Sequence, residues 1–394
     1  MSLPLGGYRV IELAQIYAGP YCGLQLAHFG AEVIKIEPPG TGELLRRRPP
    51  APHGANLGFM MLNPGKKSVT LNLKDERGRE ILMRLLADAD ALIENYAPGA
   101  LERLGLGYED LARRFPRLVY GSAKGYGQDS RFARLGALDF TIQASSGIVS
   151  MTGYGDRPGV RVTAALVDTS TGMHLAAGIL AALLERERTG RGRKVDVAMF
   201  DVCIPAINGA IAAVLEGKKI PRLGNRHPIA CPCNSYPARG GEIWIYCLTE
   251  AHWRQLTILM QRTDLQANPR YLSEAVRCKN IDEVDALVAA WTSTLKRDEV
   301  VALLLENNIP CAPVREIEEV AHDPELEARG LVRTTDFAGY SRAKVLGSAI
   351  KMSGTRGDEV PPEIPELGEH TAEVLERVGI SPVEVENLRR AGVI

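Results

Sequence analysis

Up to Phe200 the chain alternates short β-rich runs with longer helical stretches, and this alternation restricts the fold more than any other feature. Val10–Leu13, Glu32–Glu37, Ser68–Leu73, Ala91–Glu94, Leu118–Ser122 and Lys194–Met199 read as strands, rich in Val, Ile and Leu. Helices fit between them, among them Tyr21–Phe29, stopped by Gly30, then Glu76–Ala87 and Thr171–Arg188. Strands alternating with helices predict a parallel α/β sheet covered on both faces. In such sheets ligands sit beyond the carboxyl ends of the strands.

The pattern changes after Phe200. An apolar helix runs to Glu216, followed by the basic, Pro-containing connector Gly217–Arg226. Beyond it, Glu242–Leu248 reads as a strand, and Trp253–Gln261 and Asp282–Leu295 as helices. The Gly/Pro/Glu-rich segment Gly354–Pro365 is expected to run extended over the surface. Gly368–Val378 and Val383–Arg390 are short helices, each followed by a Gly stop. The division expected is a large domain over residues 1–205, a linker over 206–225, a smaller α+β domain over 226–325, and a return to the large domain over 326–394.

Composition narrows the function. Of 394 residues 45% are hydrophobic and 24% charged, as in a globular protein with a full core. The net charge of −1 offers no electrostatic basis for binding nucleic acid or an anionic membrane. No uninterrupted apolar stretch approaches the ~18 residues of a membrane span. The N-terminal Met-Ser-Leu-Pro-Leu-Gly-Gly-Tyr lacks the basic and apolar regions of a secretion signal, so the cytoplasm is expected. Seven scattered cysteines fit free thiols in a reducing compartment. Cys231-Pro232-Cys233, with His227 nearby, matches no zinc spacing, so no metal site is expected.

Familiar nucleotide signatures fail. Ala18-Gly19-Pro20-Tyr21-Cys22-Gly23 lacks the three-glycine dinucleotide fingerprint. Asn63-Pro64-Gly65-Lys66-Lys67-Ser68 mimics the end of a P-loop, but Met60 replaces the required glycine and a strand follows instead of a helix. Arg46-Arg47-Arg48, beside Pro49 and Pro50, suits either a phosphate grip or a solvated loop. There is no G-x-S-x-G elbow and no H-E-x-x-H.

Asp168 stands in Leu166-Val167-Asp168-Thr169-Ser170-Thr171-Gly172, where a short apolar segment passes into a small-residue helix. Short oxygen-bearing side chains in a row are helix-start chemistry, and a plain N-cap is their ordinary role. A carboxylate there also meets the positive end of the helix dipole, which favours its ionised form. Kept from bulk water, such a carboxylate can act as a nucleophile.

An ordered set of segments resembles the family III CoA-transferases. It comprises Val10-Ile11-Glu12-Leu13 with Ala18-Gly19-Pro20, and Gly30 to Glu37. It continues with Asn63 to Lys74, Glu94-Asn95-Tyr96-Ala97-Pro98-Gly99 leading to Arg103-Leu104-Gly105, and Lys124-Gly125-Tyr126-Gly127. It ends with Asp168 and Gly172, Thr189-Gly190-Arg191-Gly192, and Leu367-Gly368-Glu369-His370-Thr371. Each piece is weak alone; the ordered set is specific. The stretch 226–325 carries the thinnest resemblance.

The resemblance implies a Rossmann-like large domain, an interlocked, ring-like homodimer, and Asp168 as the nucleophile. It implies transfer of CoA from an acyl-CoA to a free carboxylic, possibly dicarboxylic, acid through aspartyl anhydride and aspartyl-CoA thioester intermediates. CoA is then a substrate, and no cofactor is held permanently. Gln15, Ile16, Tyr17 and Ala18 match the loop at the CoA thiol end. Leu71, Asn95, Tyr96, Arg103, Leu104 and Lys124 match CoA-contacting positions. Members acting on formyl and oxalate groups carry a glutamine at the Tyr17 position and an arginine at the Pro38 position. Arg46 or Arg47 is then expected to supply the charge missing at Pro38. Of the glycine-rich lid of such members only Gly240-Gly241 remains.

Two other readings are carried. An α-methylacyl-CoA racemase needs a second proton carrier across the substrate α-carbon, and Leu138 stands where the racemase histidine falls. A non-catalytic CoA-binding subunit of a heteromeric transferase has no need of Asp168.

Overall fold

The computed structural model describes residues 3–49, 56–337, 340–354, 360 and 362–394. Pro50 and much of the 354–365 segment lie outside the described residues. The chain divides into two compact units, one of residues 1–148, 161–215 and 324–394, the other of 149–160 and 216–323.

The first unit is built on six strands: β1 (Arg9–Leu13), β2 (Glu32–Glu37), β3 (Lys67–Thr70), β4 (Ala91–Glu94), β5 (Val119–Lys124) and β6 (Lys194–Ala198). All pair in parallel, in the order β3-β2-β1-β4-β5-β6. This is the Rossmann order, with its switch point between β1 and β4. Ile11 sits at the centre, in register with Ile34 on one side and Leu92 on the other.

Alternate residues of each strand feed two separate cores, because successive side chains point to opposite faces. Ile11, Ile34, Leu92 and Tyr120 enter one. Val10, Val33, Ile93 and Val119 enter the other. Helix Glu76–Ala87 covers the first face, joined by the C-terminal helices Thr371–Arg377 and Pro382–Arg390 through Val374, Leu375, Val385 and Leu388. Each such side chain contributes roughly 1.5–3 kcal/mol by burial. Helices Ala18–His28 and Leu166–Thr189 cover the second face through Cys22, Leu26, Leu175, Ile179 and Leu183.

Helix starts differ from the expected ones. The first helix begins at Ala18, before Tyr21, because Pro20 falls in the first turn, where no N–H is needed. The long helix begins at Leu166, not Thr171. It is the described helix long and apolar enough to cross a membrane, and much of it is buried in this unit. The apolar stretch after β6 is two helices, Met199–Ala206 and Asn208–Leu215; Pro205, which has no N–H to donate, ends the first.

The second unit holds an antiparallel three-stranded sheet, Cys233–Ala238, Gly241–Tyr246 and Cys311–Val314. Gly240 and Gly241, both at positive φ, turn its hairpin. Tyr236, Trp253, Val284, Val288, Val300 and Leu304 form its core. Asp285 ties it together, accepting from Tyr236 Oη at 2.7 Å, Arg226 Nε at 2.8 Å and Asn234 Nδ2 at 2.9 Å.

All seven cysteines are free, and no group of side chains among the described residues is arranged to hold a metal.

Candidate active site

The loops leaving β1, β4 and β5 meet at the switch point and enclose a cleft of about 210 Å³. Gln15, Ile16, Tyr17, Ala18, Asn95, Tyr96, Lys124 and Asp168 all line it, together with Leu135, Leu138 and Met199. Eight of the residues singled out in the sequence thus share one site.

The loop after β1 is fastened at four successive points. Lys35 Nζ donates to the Ala14 carbonyl at 2.7 Å. Asn95 brackets the Gln15 backbone, accepting its N–H at 2.9 Å and donating to its carbonyl at 2.8 Å. Glu43 accepts the Ile16 N–H at 3.0 Å. Lys66 Nζ donates to the Pro20 carbonyl at 2.8 Å. Both lysines are fully buried and share Glu12, each at 2.8 Å. Burial lowers the Lys66 pKa to about 8, while the carboxylates around Lys35 outweigh its desolvation and raise it. Ile16 adopts φ 68°, a conformation that costs a β-branched residue about 1–3 kcal/mol and that this bracing sustains.

Asp168 lies in the first turn of its helix and is not the N-cap; that position is Ala165, which has no capping side chain. The cap comes from elsewhere in the fold. Asp139 Oδ2 accepts the N–H groups of Val167 at 2.9 Å and Asp168 at 3.0 Å. Gln143 Nε2 holds the other oxygen of Asp139 at 2.6 Å. Gln143 is itself held by Val162, whose N–H donates to its Oε1 at 2.9 Å. Burial first, then the Asp139 charge, push the Asp168 carboxyl up to about 7. The dipole effect expected from the sequence is therefore outweighed, since Asp139 occupies the N–H groups that would have favoured the anion.

Gly172 lets this helix pass close to the first one. A Cβ there would stand 2.5 Å from the Ala18 carbonyl oxygen. The close approach sets Asp168 beside the braced loop, and Tyr17 is raised in pKa by burial and by the Asp168 charge.

A second cleft, of about 180 Å³, is lined by Pro38, Leu71, Leu73, Lys74, Leu104 and others. Tyr96 lines both clefts. Arg103 and Arg46 line neither. Arg103 is exposed in a short turn, Glu102–Leu104. Arg46 is bound through two nitrogens to Glu37 at 2.7 and 2.8 Å and stacks over Phe59, so its charge is already matched. Lys124 is likewise paired, with Glu94 at 2.6 Å. The bracing residues Glu12, Lys35, Glu43 and Lys66, and the cap Asp139, were not singled out by sequence. A Lys within an apolar strand, at Lys35, was the available signal.

Comparison with known proteins identifies the family. The family model for CoA-transferase family III matches residues 5–371. Formyl-CoA:oxalate CoA-transferases of Escherichia coli O157:H7 and Shigella dysenteriae serotype 1 are each 34% identical over 99% of this chain and 99% of theirs. The crystal structure of a CAIB/BAIF family protein from Brucella suis matches with a TM-score of 0.86 at 33% identity, covering 96% of this chain and 100% of that one. The chain belongs to CoA-transferase family III and is a transferase enzyme acting on CoA thioesters.

Proposed function

We propose that this enzyme moves CoA between an acyl-CoA and a free carboxylic acid through covalent intermediates on Asp168. The observation that carries the reading is the Asp168 carboxylate standing in the cleft at the switch point, beside the braced first loop. Ionised Asp168 attacks the thioester carbonyl, and CoA thiolate leaves an acyl–aspartyl anhydride. The thiolate then attacks the aspartyl carbonyl, releasing the donor acid and leaving an aspartyl–CoA thioester. The acceptor carboxylate attacks this thioester and forms a new anhydride with release of thiolate. The thiolate finally attacks the acceptor acyl carbon, giving the new acyl-CoA and free Asp168. The backbone N–H groups of Ala18 and Gly19, which open the first helix, are our candidates for stabilising the oxyanions.

CoA runs from the Asp168 cleft past Tyr96 into the second cleft, where Leu71 and Leu104 receive the adenine. Lys74 and Arg103 meet the phosphates. Leu138, which lines the Asp168 cleft, carries no proton, which supports transfer over racemisation.

The functional unit is a homodimer of interlocked chains. Helix Asn208–Leu215, Asn-Gly-Ala-Ile-Ala-Ala-Val-Leu, buries none of its residues, and Leu215 is 81% exposed. An apolar helix left so open fits a partner chain. Light scattering showing a monomer at micromolar concentration counts against it.

The decisive experiment uses hydroxylamine. With an accepted acyl-CoA it should inactivate the enzyme progressively and leave a hydroxamate on the Asp168 peptide. Rapid exchange of solvent deuterium into the α-carbon with no hydroxamate would decide for a racemase.

A further inference from the structure

Beside Asp168 the cleft is lined by the apolar side chains of Ala18, Ala137, Leu135, Leu138 and Met199. Leu135 is 52% and Leu138 56% exposed, which for large aliphatic side chains beside a reacting group signals a surface waiting for apolar cover.

Among the described residues the lining holds one cation, Lys124, and its charge is matched. Its ammonium donates to Glu94 at 2.6 Å and to the Tyr96 carbonyl at 2.7 Å. Glu94, 2% exposed, gives Lys124 a buried counter-ion that does not leave it. The Asn95 amide is used at both ends by Gln15. Arg46, the arginine expected to supply charge, is matched by Glu37 and lies outside the cleft. What remains toward the acyl group is the Gln15 amide, the Tyr17 phenol and a second negative charge, Asp139, behind Asp168.

We infer that the acids exchanged here are apolar monocarboxylic acids, and that Leu138, with Tyr17, selects them over dicarboxylic acids. The inference rests on the proposed chemistry of Asp168 and adds the substrate class. One carboxylate of an acceptor reacts with the aspartyl thioester and is consumed. A second carboxylate on the same molecule is then carried against Leu135, Leu138 and Met199 with no free cation in the described lining to meet it, and laying it on those side chains strips part of its hydration without a partner, which is disfavoured. An alkyl or aryl chain instead covers those side chains. The assignment departs from the oxalate in the name of the relatives.

The test is CoA exchange from one acyl-CoA donor to matched acceptors: butyrate against succinate, propionate against malonate, with oxalate alongside. Butyrate should exceed succinate by about tenfold or more in kcat/KM. Leu138→Arg, at an exposed position, should shift that ratio toward succinate by about tenfold, while Leu138→Ala should lower butyrate use without raising succinate. Succinate or oxalate outrunning the monocarboxylates, with the Asp168 hydroxamate still formed, overturns the substrate class and leaves the transferase chemistry standing. An unchanged ratio in a folded Leu138→Arg protein removes Leu138 as the selector. No exchange to any acceptor and no hydroxamate with any donor overturns the Asp168 chemistry, and the substrate class with it.

Discussion

The backbone N–H of Asp168 donates to Oδ2 of Asp139 at 3.0 Å, and the charge of that same Asp139 helps raise the Asp168 carboxyl to about 7. One carboxylate thus does two opposed things to the other. It fixes the start of the helix that presents Asp168, and it makes Asp168 harder to ionise. A carboxylate raised this way is a stronger base than an ordinary aspartate when ionised, and it is still largely ionised at slightly alkaline pH.

A pH profile should show this directly. In the proposed mechanism the anion is the attacking form, so kcat/KM of the free enzyme should fall on the acid side with a midpoint near 7. Asp139→Asn keeps a side-chain oxygen for the two N–H groups and removes the charge, and it should move that limb to lower pH. A limb near pH 4 in the unmodified enzyme, unmoved by Asp139→Asn, would contradict the coupling.

Stability should change with pH in a matching way. The folded Asp168 pKa lies above its ordinary 3.8, so its favourable contribution is full below about 3.8 and is lost as pH rises through about 7. Asp168→Asn should therefore be more stable than the unmodified protein at pH 8, by on the order of 1–2 kcal/mol after allowing for solvent at the cleft mouth. The difference should vanish by pH 4, as urea midpoints can show. Transfer should be abolished throughout. A loss of about 2 kcal/mol at pH 8 would instead mark Asp168 as a structural residue.

Lys35→Met should destabilise the first unit by about 3–5 kcal/mol, because it leaves one side of the buried Glu12 without its partner. It also frees the Ala14 carbonyl, so activity should fall even where the fold survives. Urea unfolding and exchange rates below the transition check both effects. A neutral result would show that Lys66 alone sustains the loop.

Gly172→Val should cost about 1–3 kcal/mol, since its Cβ meets the Ala18 carbonyl and the Cys22 backbone nitrogen. The two helices then separate, and kcat should fall more than the affinity for CoA measured by calorimetry. Equal losses in both would place the damage in the fold as a whole.

The parallel sheet was legible because its strands are buried on both faces and read as Val/Ile/Leu runs, with Val10-Ile11 and Val33-Ile34 the clearest. The cleft residues Gln15 to Ala18, Asn95, Tyr96 and Lys124 came from the family resemblance, and each of them ends or follows such a strand. Long-range polar bonds left no local pattern. Nothing near Asp139 announces that it caps a helix beginning at Leu166, so Asp168 read as a cap when it sits inside the first turn. Arg46 read as either a phosphate grip or a solvated loop residue because its partner Glu37 belongs to β2. In the second unit, Cys233–Ala238 and Cys311–Val314 each contain a proline, and neither signalled a strand. The antiparallel pairing of Val332–Phe337 with Tyr340–Leu346, in the first unit, was also not expected, since Arg, Thr, Asp and Lys recur along it.

The helices Thr371–Arg377 and Pro382–Arg390 close one face of a sheet whose central strand is Arg9–Leu13, and the Asn72 N–H donates to the Val393 carbonyl at 2.7 Å. During synthesis the six strands therefore leave the ribosome long before the segment that covers them. The part of that face which these helices cover, at the Lys67–Thr70 strand and Asn72, stays open to water, or to a chaperone, while all of residues 216–323 are being made. The inserted unit can complete its own core before the first unit receives the helices that close its sheet.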